Sequence, residues 1–177
     1  MLRKNCRKNR LKYRLHVAAA LAALGLVATT APAEALPAWR TTPTSHTHDA
    51  FGIVANLRYA EHAKFDRVVI DLRRHVPGYR ISYVKRLFFD PSGKPVGLAG
   101  RQKMSLTIRP AAGHRANGEN VYAGPRKVQV DLPTLRGIAI TGDFENVVSF
   151  GFSTDRKAPY RVFTLQSPRR LVIDWQH

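Results

Sequence analysis

The sequence predicts an all-β fold: one β-sandwich domain of short, mostly antiparallel strands. Three observations predict it. From residue 51 onward, short runs of β-branched and aromatic residues are punctuated by Gly and Pro. Within the runs apolar and polar residues alternate, and no segment holds a helical period over three turns. Finally, two stretches nearly repeat each other, Phe65-Asp-Arg-Val-Val-Ile-Asp-Leu72 and Pro168-Arg-Arg-Leu-Val-Ile-Asp-Trp175. Aligned, Arg67 falls on Arg170, Val69 on Val172 and Asp71 on Asp174.

The predicted strands, in order, are Gly52–Tyr59, Asp66–Arg73, Tyr79–Leu87, Met104–Arg109, Lys127–Leu132, Gly137–Thr141, Val147–Ser153, Tyr160–Leu165 and Arg170–Trp175. In the second, Val68, Ile70 and Leu72 share one face. In the third, Tyr79, Ile81 and Tyr83 lie opposite Arg80, Ser82, Val84 and Arg86. In Val147–Ser153, the face carrying Val148, Phe150 and Phe152 lies opposite small Ser149 and Gly151. Turns are predicted at His75–Gly78, Asp90–Gly93 and Gly142-Asp143, and Ala111–Pro125 is the longest loop. If the two near-repeats pair antiparallel with Val69 opposite Val172, Arg67 meets Asp174 and Asp71 meets Arg170. Each cross-strand pair then contributes roughly 0.2–1 kcal/mol and fixes register.

Ahead of this body, residues 1–16 hold seven Lys/Arg and no acid, and the apolar run Val17–Ala28 follows. Small residues at Ala31-Pro-Ala33 and Ala33-Glu-Ala35 complete the layout of a secretory signal peptide over residues 1–35, cleaved near Ala33 or Ala35. The apolar run falls short of the roughly 20 residues a membrane span needs. The only cysteine, Cys6, precedes that run, so the layout is not that of a lipoprotein. Residues 36–50, rich in Thr, Ser and Pro, read as a flexible leader. Residues 51–177 form the domain.

The 29 basic and 12 acidic residues fall to 22 and 11 without residues 1–35, a net charge of +11. A basic surface attracts anionic partners. Export excludes nucleic acid and leaves phosphate-rich wall polymers, acidic peptidoglycan stems and lipid headgroups.

The near-repeat, Val76-Pro-Gly-Tyr-Arg80, Gly142-Asp-Phe-Glu145 with Val148-Ser-Phe-Gly151, and Tyr160-Arg-Val162 together resemble the AMIN-like domain of exported actinobacterial proteins. The resemblance runs from about residue 51 to residue 177. It implies a β-sandwich with a non-catalytic role at the cell envelope, contacting peptidoglycan. An envelope protein paired through an exposed strand edge is the alternative partner.

Catalytic and metal chemistry find little purchase in the residues. No H-E-x-x-H occurs among His46, His48, His62, His75, His114 and His177, and these fall in leader, loops and terminus. Ser149 lacks a G-x-S-x-G elbow. Asp143 and Glu145 are the best candidate carboxylate pair for glycoside hydrolysis, but a polar hairpin turn accounts for them. Their spacing matches no calcium loop, and Ser92-Gly-Lys94 lacks the rest of a phosphate loop. The sequence thus points to no catalytic residue, metal or cofactor. The candidate ligand-binding residues are arginines: Arg80, Arg86 and Arg161 on a basic face, and Arg67 and Arg170 as forked receptors for carboxylates.

Overall fold

Alternating side chains force each strand to bury one face, and two sheets packed face to face meet that need. The computed structural model describes residues 35–177, and the signal-peptide reading lies outside them. The strands are β1 (Thr44–His46), β2 (Gly52–His62), β3 (Phe65–Arg73), β4 (Gly78–Val84), β5 (Gln102–Arg109), β6 (Ala111–Ala112), β7 (Lys127–Gln129), β8 (Leu135–Phe144), β9 (Val147–Thr154), β10 (Tyr160–Gln166) and β11 (Arg169–Gln176). One sheet runs β1-β4-β5-β9-β8-β7 and the other β10-β11-β3-β2-β6. All pairings are antiparallel except the short β2–β6 contact. There is no helix among the described residues.

The predicted alternation fills the core. Val68, Ile70 and Leu72 of β3 meet Ile81 of β4, Met104, Leu106 and Ile108 of β5, and Val148, Phe150 and Phe152 of β9 in one buried cluster. Trp175 lies fully buried within it and donates its indole N–H to Met104 Sδ at 3.0 Å. Asp66 also points inward and is buried, which is costly unless its oxygens are satisfied. Oδ2 accepts the backbone N–H groups of Thr134 (2.7 Å) and Leu135 (2.8 Å), and Oδ1 pairs with His177 Nε2 at 2.9 Å.

The near-repeats are neighbouring strands, β3 and β11, in the predicted register. Val69 faces Val172, Arg67 faces Asp174 and Asp71 faces Arg170.

Four local expectations are corrected. Residues 36–50 are not a free leader, because Trp39 to His48 strap the sandwich. Arg40 and Tyr160 exchange backbone hydrogen bonds (2.9 and 2.7 Å), the Tyr160 hydroxyl donates to Thr42 O (2.6 Å), and Thr44–His46 adds a strand to β4. Gly142-Asp143 is not a turn but the end of β8, and the reversal falls at Glu145 and Asn146, both at positive φ. The third strand stops at Val84, where the chain leaves to cross its own sheet. The Ala111–Pro125 loop begins with β6 and places Tyr122 in the core.

That crossing segment seats Leu87, Phe89, Val96 and Leu98 against Ala139 on the outer side of the six-stranded sheet. Gly151 lets it approach: a Cβ there would stand 2.8 Å from a Leu87 methyl. Close packing is thus what the small residues opposite the β9 aromatics serve.

Candidate polar groove on the six-stranded sheet

Inward residues of β4, β5 and β9 are apolar, so their partners in the alternation must form the outer face. Register aligns four of these in a row across the strands: Arg80 of β4, Thr107 of β5, Ser149 of β9 and Gly142 of β8. With strands about 4.8 Å apart, the row spans roughly 14 Å. Three clefts adjoin it. The first, of about 830 Å³, holds Arg80 and Arg109 with Thr107, His46, His48 and the carboxylates Asp49 and Glu145. The second, about 380 Å³, lies under the crossing segment and holds Arg86, Phe88, Ser105 and Ser149. The third, about 600 Å³, holds His114, Asp143, Arg126 and Lys127 at the edge of β8. The second and third share Phe89, Asp90 and Thr141, and Thr107 of the first is the strand neighbour of Ser149 in the second. Taken as a row, the three clefts make a candidate polar groove on the outward side of the sheet, with cations at both ends and hydroxyls between them.

The strap shapes the first cleft. His46 and His48 stack with ring centroids 6.1 Å apart, and His46 rests on Tyr79 at 5.7 Å. Burial raises the Tyr79 hydroxyl above the usual phenol range, against a smaller opposing effect of Arg40. Beside the second cleft, Lys103 ties down the crossing segment, donating to the carbonyls of Leu98 (2.9 Å) and Gly100 (2.6 Å), and burial lowers its pKa.

A β-bulge shapes the third cleft. The β8–β9 register shifts between Ile140 and Gly142, which brings Asp143 opposite inward-facing Val148. Asp143 therefore turns toward the 111–125 loop, where Oδ1 accepts the Gly113 N–H (3.0 Å) and Oδ2 pairs with His114 Nδ1 (2.9 Å). Asp143 and Glu145, the candidate hydrolytic pair, line different clefts. The dyad has no nucleophile attached: among the described residues the only hydrogen-bond partner of the His114 ring is Asp143.

The structure divides the sequence-predicted arginines between the two faces. Arg80 and Arg86 line the groove, and neither has a carboxylate within 4.0 Å among the described residues. Arg67, Arg161 and Arg170 lie on the outer side of the other sheet, engaged within the protein. Arg67 forks onto Asp174 through Nε (2.7 Å) and Nη2 (2.9 Å), and Arg161 Nε reaches the same carboxylate at 2.8 Å. Asp174 is 0% exposed beneath them. The Arg161 guanidinium also packs on Trp39, 4.3 Å from its ring centroid. Arg170 Nε sits 3.5 Å from Asp71 without a hydrogen bond to it, and Arg58 grips that carboxylate with two bonds at 2.8 and 2.9 Å.

Sequence reasoning missed Arg109, His114, Arg126 and Lys127. Arg109 was within reach, since alternation places it on the same side of its strand as Thr107. His114 was not, because its orientation depends on the bulge.

The fold is an all-β sandwich carrying a shallow polar surface on one sheet. The model of the AMIN-like domain family matches residues 52–177. This chain belongs to the AMIN-like domain family, which points to a peptidoglycan-related binding module. No curated protein and no solved structure matches it. No helix among the described residues is long and apolar enough to cross a membrane.

Proposed function

We propose that the chain is an exported, non-catalytic binding module of the cell envelope that contacts peptidoglycan or its attached anionic polymers through the groove on the six-stranded sheet. One observation carries this reading. Arg80, Arg86 and Arg109 face the groove without carboxylate partners among the described residues, whereas Arg58, Arg67, Arg161 and Arg170 on the opposite face are paired. An unpaired guanidinium offers a fork to carboxylate or phosphate that a paired one does not. The hydroxyl floor suits the hydroxyls of a glycan. The carboxylates Asp49 and Glu145 beside Arg80 and Arg109 suit a ligand bearing amines as well as acids. The groove's length favours a polymer over a small solute.

Co-sedimentation with isolated peptidoglycan, intact and stripped of anionic polymers, tests the reading across a salt series. The sample is residues 35–177, which form one compact unit with its own core. Binding to the stripped material is expected, weakening as salt screens the exposed charges beyond about 8 Å at physiological ionic strength. Arg80→Glu with Arg109→Glu removes it. Lys64→Glu with Arg169→Glu, matched in charge at exposed positions of the other sheet, leaves it intact. Equal loss in both variants would reduce the interaction to net charge and sink the site.

A second reading has its own observation. β10 is an edge strand bridged on its free side only at Tyr160, by Arg40, among the described residues. Its remainder, Val162–Gln166, carries no charge, and Leu165 is 40% exposed. Such an edge accepts a partner strand. A protein partner recovered from envelope extracts and lost with Thr164→Pro would favour it.

A further inference from the structure

We propose that the cleft at the edge of β8 is a phosphate site, built for a phosphodiester or monoester with a free hydroxyl beside the phosphate. The inference rests on the reading of the groove as an anion-binding surface and names the ligand class at its β8 end.

Asp143 is fixed at both oxygens, by the Gly113 N–H and by His114 Nδ1. A carboxylate that accepts from Nδ1–H leaves Nε2 as the acceptor nitrogen of that tautomer, suited to a hydroxyl of a ligand in the cleft that His114 lines. The bulge that aims Asp143 is the kind of irregularity that re-aims a side chain at a site. Arg126 and Lys127 line the same cleft, and neither has a carboxylate within 4.0 Å among the described residues. A forked guanidinium and a compact ammonium lining one open cleft are donors that phosphate oxygens take, and His114 adds an acceptor for a hydroxyl beside the phosphate.

Asp90 sets the class of ligand. Its carboxylate lines the same cleft, packed over Gly142, with Oδ2 3.3 Å from where a Gly142 Cβ would stand. A bare phosphate gains nothing from it. A ligand with a hydroxyl next to the phosphate can donate that hydroxyl to Asp90 while its phosphate meets the cations. Lipid headgroups and polyol-phosphate wall polymers both offer this chemistry.

The test uses residues 35–177 and NMR titration with inorganic phosphate, glycerol 3-phosphate and glycerophosphoglycerol, following the His114 ring and the amides of Gly113 and Gly142. The glycerol compounds are expected to bind at least fivefold tighter than inorganic phosphate, and Asp90→Asn erases that difference. Arg126→Gln with Lys127→Gln, both on the surface, raises Kd tenfold or more for all three. His114→Gln weakens binding severalfold, and its folding is checked by circular dichroism. Lys64→Gln with Arg169→Gln, exposed on the other sheet, leaves these affinities unchanged, and peptidoglycan co-sedimentation of the Arg126/Lys127 double variant reads the groove separately, so the two failures are distinguishable. Vesicles bearing glycerophospholipid and a soluble polyglycerol phosphate then identify the source by which one competes. Shifts spread evenly over all exposed basic residues, or a Kd unmoved by the Arg126/Lys127 double variant, would overturn the site.

Discussion

At the scale of single residues, the arginines separate into those that hold the protein and those free to hold something else, and burial of the partner acid decides which. Asp174 is fully buried beneath Arg67 and Arg161. Removing one side of a buried pair strands the other in a poor solvent, so Asp174→Ala is predicted to cost about 3–5 kcal/mol in urea unfolding. Asp71 shares the same sheet face but is partly exposed, as are Arg58 and Arg170 beside it. There Asp71→Ala is predicted to cost about 1 kcal/mol or less. Similar losses at the two sites would refute the distinction. Tyrosines give a pH signature. Burial pushes the Tyr83 hydroxyl up to about 12, and raises Tyr122 and Tyr160 as well. Their neutral forms are favoured in the fold over an unfolded tyrosine, whose pKa is about 10. The associated stability is therefore complete below pH about 10 and is lost as pH climbs through the folded values. Alkaline titration followed by tyrosinate absorbance and circular dichroism should show ionisation and unfolding together. Ionisation of all tyrosines near pH 10 with the fold intact would contradict it.

At the scale of elements, the strap from Trp39 to His48 joins edges of both sheets: it meets β10 through Arg40 and β4 through β1. Its composition conceals this, since Thr, Ser and Pro show no alternation and three residues are too few for a strand pattern. Its anchors are a Trp stacked on Arg161 and backbone bonds to a buried Tyr. Trp39→Ala is predicted to lose about 1–2 kcal/mol from the cation–π contact. Tyr160→Phe should lose about 1–3 kcal/mol, because the hydroxyl also serves Ile81 O in the interior. Both changes should speed hydrogen exchange at the β1 and β4 amides. Unchanged exchange there would mean the strap is held elsewhere. The longer strands were legible because period-2 alternation survives without knowledge of neighbours, and β3 and β11 could even be registered from their charges. The bulges in β2 and β8 were not legible, since an extra residue looks like any other until its partner strand is known.

At the scale of the whole molecule, the two sheets turn opposite kinds of surface outward. The five-stranded sheet carries paired arginines interleaved with aromatics, Phe65, Phe163 and Trp39 standing over or beside Arg67 and Arg161. The groove side of the six-stranded sheet carries hydroxyls with Arg80, Arg86 and Arg109, while Arg136 of β8 pairs with Asp131. Alternation assigned Arg80 to an outward face, whereas Arg86 lies past the end of β4 and lines its cleft from the crossing segment. Which sheet each arginine would join required the strand order, and the sequence places Arg80 and Arg161 in equivalent outward positions. Net charge pointed to an anionic partner but could not say which face meets it.

The matched charges of β3 and β11 carry a cost during assembly. Each strand reads Arg, three apolar residues, Asp, so each is charge-complementary to a reversed copy of itself as well as to the other. Two nascent chains can therefore zip β3 to β3, or β11 to β11, with every charge satisfied, a route to entangled dimers while the strands are exposed. Refolding yield should fall as chain concentration rises. Asp71→Arg with Arg170→Asp keeps both native cross-strand pairs opposite in sign but makes each strand repel its own copy. That variant should refold with a yield much less sensitive to concentration, read by size-exclusion chromatography after dilution from urea. The same concentration dependence in both chains would place the misassembly in other strands.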